Sequence, residues 1–510
     1  MAFEDLLSDL AARERTALAM GGPEKLAQRK AQGLLNARER VDLLFDSGSF
    51  VESGLHAVSN RPEDKASTPA DGKVAGYGRI DGREAAVVAN DFTVKGASSA
   101  GINIKKLKHM KIVAKKRGIP IVFLGESSGA RMPDVMGASS IGSKDDPIEY
   151  QRLRDSPWAA GVLGYCYGSS AWYASMSDFC VMRKGSVMAV SSPRLISMAI
   201  GRAVDAEELG GWRVHSEVSG LMDQVVDTDE QAIGAIRQFL SYLPSNNLEP
   251  PPEHDVPAGS GADMGGILDL MPASTNQVYD VRKIVRCIVD RDSMFEMKSR
   301  YGKALVTALA RLDGKSVGII ANNPLHRGGA IGADECQKVQ SFFVLCDSFN
   351  IPLVMLVDQP GFLIGLEGEQ RGVTGKVMNW LNAMSLVTVP KISVILRKSY
   401  GLAVSNMGAG GNADEVACWV TADVSFMKPE FGARVVFGAD PEKDPEEYEA
   451  AVAKMSKGTT PYDMAAVYTA QDVIDPRDTR DWLIRMLEVH RLRLTGGVGE
   501  HLMRTWPTSY

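Results

Sequence analysis

Two glycine turns, each present once in either half of the chain, carry the residues best placed to do chemistry. The first is Gly125-Glu126-Ser127-Ser128-Gly129-Ala130-Arg131, directly after the apolar run at 121–124. It matches G-x-S-x-G, in which a serine on a strand-to-helix turn is a nucleophile. Two features speak against that role. Pro133 stands where the helix should be running, and the corresponding turn Val357-Asp358-Gln359-Pro360-Gly361-Phe362 has no serine at that point. What the two turns share is a glycine just past a strand end, which lets the backbone turn and leaves N–H groups free to face an anion. The second pair is Tyr167-Gly168-Ser169-Ser170 and Tyr400-Gly401-Leu402-Ala403. Each follows an apolar strand and opens a segment of small and apolar residues. A helix start reached through glycine presents unpaired N–H groups, and two such turns aimed at one oxygen form an oxyanion hole. That device suits a thioester, whose enolate puts its charge on the carbonyl oxygen. The same glycines also serve tight strand-to-helix packing, and the pattern leaves both readings open.

No residue stands out as a general base. Glu126 and Asp358 are the carboxylates nearest the turns, and neither has a partner visible in the sequence. An enzyme with oxyanion holes and no evident base can leave proton transfer to a cofactor or to the substrate. Composition narrows the field further. The 510 residues carry 57 basic and 63 acidic side chains, a net charge of −6, which argues against nucleic-acid binding. The seven histidines form no H-E-x-x-H or His-x-His group, so no metal site is expected. The six cysteines show no C-x-x-C pair, and they read as reduced thiols in a cytoplasmic protein. The acidic start does not resemble a signal peptide, and no apolar run reaches bilayer length, so no membrane association is expected.

The elements that must position these turns come in two copies. The first fifty residues read as helix-rich and charged, and 244–266 is the best linker, crowded with Pro, Gly, Asn and acids. Arg79-Ile80-Asp81-Gly82-Arg83 answers Arg311-Leu312-Asp313-Gly314-Lys315, an offset of 311 − 79 = 232, and Pro120 answers Pro352 at the same offset. Tyr167-Gly168 answers Tyr400-Gly401 at 233. Three blocks in one register indicate a duplicated fold. Within each copy the order is strand, Asp-Gly turn, strand, Gly-rich loop, helix (104–117 and 333–349), strand, glycine turn. That alternation predicts α/β layered domains, divided as 1–255 and 256–510.

These residues carry a resemblance. The chain resembles the carboxyltransferase (beta) subunits of biotin-dependent acyl-CoA carboxylases, such as the propionyl-CoA and methylcrotonyl-CoA enzymes, and their decarboxylase relatives. The resemblance rests on ARER (37–40) with LLFDSGSFVE (43–52), NDFTVKG (90–96), SSGARM (127–132), and EELGG with His215 (207–220). It continues through FLSYLPSNN (239–247), YDVR (279–282), FNIPLV (349–354) with Asp358 and PGF (360–362), and VPKISVILRKSYG (389–401). It implies tandem duplicated crotonase-like β/α spiral domains, a hexamer, and active sites shared between the first domain of one subunit and the second domain of its dimer partner. The first domain would take the acyl-CoA, with Gly129, Ala130, Gly168 and Ser169 holding the thioester enolate. The second would take biotin carried on a separate protein, with Gly361, Phe362, Leu402 and Ala403 around the ureido oxygen. The ureido nitrogen would then remove the α-proton, which accounts for the missing base.

The chain has no Ala-Met-Lys-Met biotinylation setting and no ATP-binding carboxylase domain, so a biotin carboxylase and a carrier subunit are expected on other chains. Other enzymes of the fold, namely a biotin-independent acyl-CoA decarboxylase, lyase or hydrolase, and a non-catalytic paralogue are the alternatives. Several positions depart from the family's usual pattern. Tyr167-Gly168-Ser169-Ser170 stands for A-G-G-A, Gly401-Leu402-Ala403 for G-G-A, and Trp419-Val420 for Trp-Pro. Ser405 stands where many relatives place an acid lining the acyl pocket. Lys428 and Arg434 leave two readings: a cation lines this pocket and selects an anionic or polar acyl group, or both face solvent, as most Lys and Arg do.

Overall fold

The computed structural model describes residues 3–138 and 150–507. The chain divides into two compact units, 1–247 with 505–510 and 248–504.

Unit 1 opens with three helices, Glu4–Leu18, Pro23–Ala31 and Ala37–Leu44, ahead of its sheet. The strands are β1 (Val51–Glu52), β2 (Lys73–Ile80), β3 (Arg83–Asn90), β4 (Ile121–Ser127), β5 (Trp158–Tyr167), β6 (Phe179–Arg183), β7 (Val187–Ala189) and β8 (Gln224–Val226). They lie in the order β1-β2-β3-β4-β5-β6-β8, with β7 on β5. Unit 2 repeats this with β9 (Phe295–Met297), β10 (Leu305–Leu312), β11 (Lys315–Asn322), β12 (Leu353–Gln359), β13 (Lys391–Tyr400), β14 (Glu415–Trp419), β15 (Asp423–Ser425) and β16 (Asp472–Ile474). Its order is β9-β10-β11-β12-β13-β14-β16, with β15 on β13. The two sheets are thus the same sheet built twice. Pro120 and Pro352 enter the equivalent strands β4 and β12.

Local chemistry explains the shared parts. Asp81 (φ 50°) with Gly82 (φ 79°), and Asp313 (φ 54°) with Gly314 (φ 73°), both sit at positive φ. That is the two-residue hairpin turn whose twist matches the flanking antiparallel strands. Asp46 accepts the N–H groups of the first turn and Asp290 those of the second, at 2.7–3.1 Å. β3, β4, β5 and β6 pair in parallel, as do β11, β12, β13 and β14. Their central residues are buried on both faces, which is why the sequence reads there as unbroken apolar runs. The core of unit 1 gathers Val88, Leu107, Met110, Phe123, Trp158 and Val162. That of unit 2 gathers Ile284, Ile319, Val354, Val394, Trp419 and Leu483.

The predicted helices at 104–117 and 333–349 are Gly101–Arg117 and Ala333–Ser348. Each carries a buried lysine at the same offset, 338 − 106 = 232. Lys106 Nζ donates to the carbonyls of Gly54, Ala70 and Lys73, and Lys338 Nζ to those of Lys298, Tyr301, Gly302 and Leu305. In each copy this lysine closes the loop ahead of the first long strand. Among the described residues no helix is long and apolar enough to cross a membrane.

Candidate active site

In unit 1, β4 runs into the first glycine turn and β5 into the second. β4–β5 pairing shifts register between Gly125 and Ser127, and β12–β13 pairing shifts at the matching place, between Val357 and Gln359. The bulge turns the strand end away from its neighbour and leaves Gly129 at φ 105° and Gly361 at φ 122°. Beyond it, Ala130 bridges Ser99 in parallel, as Phe362 bridges Ile331, again 232 residues on. In such a bridge the bonds come from the residues either side, Ser99 N–H to Gly129 O and Arg131 N–H to Ser99 O, both at 2.8 Å. The Ala130 N–H therefore faces the opposite way.

The second turn supplies a matching donor. Gly168 (φ 63°) gives its N–H to Ala189 O at the end of β7, and Gly401 (φ 68°) gives its own to Ser425 O at the end of β15. The next residue, Ser169 or Leu402, then offers an N–H at the start of a short helix. Among the described residues the N–H groups of Ala130 and Ser169 have no acceptor, nor have those of Phe362 and Leu402. The two turns adjoin: a β-carbon placed on Gly168 would lie 4.0 Å from the Gly129 α-carbon, and one on Gly361 would lie 3.9 Å from Tyr400 O. Each unit therefore presents a pair of free backbone donors, and such a pair can hold one developing oxyanion.

The unit 1 pair opens into a cavity of about 830 Å³. Gly129, Ala130, Gly168 and Ser169 line it together with Ser99, Tyr167, Trp172, Leu195 and Met198. Burial pushes the Tyr167 phenol up to about 12, so it stays neutral. The structure thus brings four of the sequence-derived residues into one cavity. In unit 2, Gly361 and Phe362 are half-buried, Leu402 is 71% exposed, and Ala403 is fully buried beneath it. Ser405 lies on the helix Ala403–Asn406 and gives its N–H to Leu402 O at 3.0 Å.

Other side chains support the turns. Ser127 is fully buried inside β4; its hydroxyl donates to Ala97 O and accepts the Gly129 N–H at 3.1 Å. It shapes the turn and has no nucleophile's exposure. Glu126 and Asp358 do have partners, which local sequence could not reveal. Glu126 takes both Arg29 Nη atoms at 2.9 Å and Arg40 Nη1 at 2.7 Å. Asp358 takes Arg397 Nε at 3.0 Å, Lys398 Nζ at 2.9 Å and the Tyr279 hydroxyl at 2.8 Å. Burial, reinforced by Asp358, pushes the Tyr279 hydroxyl well above its usual range and keeps it a donor. Both carboxylates are bound on several sides, so neither is free to act as a base. His215 Nε2 donates to Met188 O at 2.7 Å, its Nδ1 lies 3.1 Å from Ser219 Oγ, and burial lowers its pKa. It pins the strand that receives the Gly168 N–H. Sequence reasoning missed Asn90 and Asn322, although the 232-residue repeat contained them. Asn90 Nδ2 donates to Glu126 O and Ser170 Oγ, and Asn322 Oδ1 accepts the Asp358 N–H.

Of the two readings of Lys428 and Arg434, the structure lends none of its contacts to the cation pocket. Lys428 is half-buried and already partnered, its Nζ 2.7 Å from Asn276 Oδ1 and 3.5 Å from Glu430. Arg434 is exposed and stacks over Tyr448 at 5.9 Å. Neither is a buried charge in need of an anionic substrate group.

Comparison with known proteins gives the family. Residues 28–494 match the carboxyl transferase domain. The chain is 36% identical over 502 residues to the methylmalonyl-CoA carboxyltransferase 12S subunit of Propionibacterium freudenreichii subsp. shermanii, covering 96% of this chain and 94% of the relative. It is 36% identical over 480 residues to the methylmalonyl-CoA decarboxylase subunit alpha of Veillonella parvula, covering 92% of each. It is 33% identical over 504 residues to the propionyl-CoA carboxylase beta chain of Saccharopolyspora erythraea, covering 95% of this chain and 92% of the relative. A crystal structure of transcarboxylase 12S, described as a hexamer with methylmalonyl-coenzyme A and methylmalonic acid bound, superposes with a TM-score of 0.88 at 34% identity, covering 96% of both chains. With its duplicated α/β sheets and paired glycine turns, the chain belongs to the carboxyl transferase domain family and is an acyl-CoA carboxyltransferase.

Proposed function

We propose that the chain is the carboxyltransferase subunit of a biotin-dependent acyl-CoA carboxylase or decarboxylase, with the acyl thioester held by unit 1 and biotin by unit 2. The observation that carries this reading is the duplicated pair of free backbone donors, Ala130 with Ser169 and Phe362 with Leu402. In unit 1 the two N–H groups would hold the thioester oxygen. They gain strength as that oxygen takes up enolate charge, so they favour the transition state over bound substrate. In unit 2 a second anionic or strongly accepting oxygen fits the Phe362 and Leu402 donors, and the ureido oxygen of biotin is such a group. Bound biotin would supply the carboxyl carrier and the nitrogen that accepts the α-proton. The chain's own part is to hold and orient, which fits Glu126 and Asp358 being committed to ion pairs.

The carrier and the biotin carboxylase are expected as separate partner chains. A hexamer is expected, because the transcarboxylase 12S relative is described as one. Exposed apolar side chains in both units, Leu195, Met198 and Ile200 in one and Phe431, Val435 and Val436 in the other, give surfaces for such an assembly. The relatives include a decarboxylase subunit, which favours testing transfer in both directions. Purified protein is assayed on a panel of acyl-CoA and carboxyacyl-CoA thioesters, with and without free biotin. Biotin-dependent carboxyl transfer is the expected result. Turnover unchanged by biotin would replace this reading with a biotin-independent decarboxylase or lyase.

A further inference from the structure

The hydroxyls of Ser99 and Ser169 lie 2.8 Å apart and both line the unit 1 cavity. They join the two turns: Ser99 is bound through its backbone to Gly129 and Arg131, while Ser169 begins the second turn's helix. Ser99 is 6% exposed, so its hydroxyl is held rather than free to sample solvent. A serine hydroxyl has one proton to give and two lone pairs to accept with. In a pair bonded to each other, one proton lies between the two oxygens and the other remains. Among the described residues that second proton has no acceptor. Unit 2 lacks the arrangement, because Ile331 and Leu402 occupy the matching positions. The hydroxyl pair is thus confined to the unit assigned to the thioester.

We infer that Ser99 and Ser169 act as one unit that donates a third hydrogen bond, beside the Ala130 and Ser169 N–H groups, to the thioester oxygen as it becomes an enolate. The inference rests on the reading of unit 1 as the acyl-CoA site. The mutual hydrogen bond sets the direction of the spare proton and ties the two backbone donors at a fixed separation. An enolate oxygen accepts three hydrogen bonds where a neutral carbonyl uses two well, so the third counts mainly in the transition state.

The test is steady-state kinetics on the substrate found by the thioester panel, for Ser99→Ala, Ser169→Ala, the double variant, Ser169→Thr and Gly168→Pro, with thermal midpoints alongside. Each alanine variant is expected to lower kcat by about tenfold with KM and midpoint little changed, the size being part of what one oxyanion donor contributes elsewhere. The double variant should lose about the same, because either substitution breaks the unit. Ser169→Thr, which keeps the hydroxyl, should restore most of the rate. Wild-type kcat in the alanine variants, a multiplicative loss in the double variant, or a loss confined to KM would each overturn the inference. Gly168→Pro separates the two levels. If it is inactive while the serine variants match wild type, only the hydroxyl unit fails; if it turns over normally, the acyl-CoA site itself has been misplaced.

Discussion

Ser127 and Gly168 sit at the ends of neighbouring strands, and the structure gives them opposite standing. Ser127 is enclosed and spends its hydroxyl on Ala97 and Gly129. Ser127→Ala should keep turnover within about tenfold and cost about 1 kcal/mol of stability, the ordinary worth of a hydrogen bond. An inactive Ser127→Ala with an unchanged melting profile would return the nucleophile reading that G-x-S-x-G raises. Gly168 is at φ 63°, which proline cannot adopt, and its N–H is bonded to Ala189. Gly168→Pro should cut kcat by about a hundredfold or more, through displacement of the Ser169 donor. The Glu126 cluster matters for stability instead. Arg40 is fully buried and bonds both Glu126 and Asp229. Arg40→Met leaves two buried carboxylates short of a partner, and a loss of about 3–5 kcal/mol in denaturant unfolding is expected. A loss under 1 kcal/mol would show that Arg29 on Glu126 and Arg183, whose Nε lies 3.0 Å from Asp229, already suffice.

At the scale of elements, the two copies differ where β2 begins. Lys73 there is buried, with Nζ 2.7 Å from Asn90 Oδ1, and its counterpart at the start of β10 is Leu305. Burial drives the Lys73 ammonium down from 10.5 to about 7, with nearby Asp71 only partly opposing it. Between about pH 7 and pH 10 the unfolded chain therefore holds a proton here that the folded chain has released. The contribution of this group to stability therefore rises with pH across that window and falls as pH drops towards 7. Lys106 and Lys338, lowered by burial to about 8 and about 7, act with the same sign. Lys73→Leu, which borrows the residue of the second copy, should flatten part of that slope in melts taken from pH 7 to 10. An unaltered slope would mean that Lys73 keeps its proton when folded.

For the whole molecule, the proposed pairing of an acyl-CoA unit with a biotin unit depends on assembly. Light scattering at micromolar concentration should find an oligomer, with six copies expected from the transcarboxylase relative. A stable monomer would remove the basis for sites shared between subunits, and the test needs no substrate. A second check is that Leu195→Asp or Val435→Asp, each placing a charge on an exposed apolar helix face, should shift the population towards smaller species.

The sequence by itself determined the duplication, the strand–turn–helix order and the glycines at both turns. These follow from short-range rules: an Asp-Gly turn needs positive φ, a buried parallel strand needs an apolar run, and a glycine past a strand end has few alternatives. Asn90 and Asn322 stand 232 residues apart, as do Lys106 and Lys338, but the hydrogen bonds they make are set by the fold. Tertiary structure alone decided the pairings that span long stretches of chain. Arg40 meets Glu126 across 86 residues, Arg397 meets Asp358 across 39, and Ser99 meets Ser169 across 70. No local pattern encodes such a meeting, because it depends on which strands lie side by side and where each bulge aims its side chains. The same holds for Lys428 and Arg434, whose sequence setting left a cation pocket open and whose surroundings give Lys428 partners in Asn276 and Glu430 and leave Arg434 exposed over Tyr448. Which N–H groups lack an acceptor is likewise a property of the closed fold, since only the bridge from Ser99 to Ala130 turns the Ala130 donor outward.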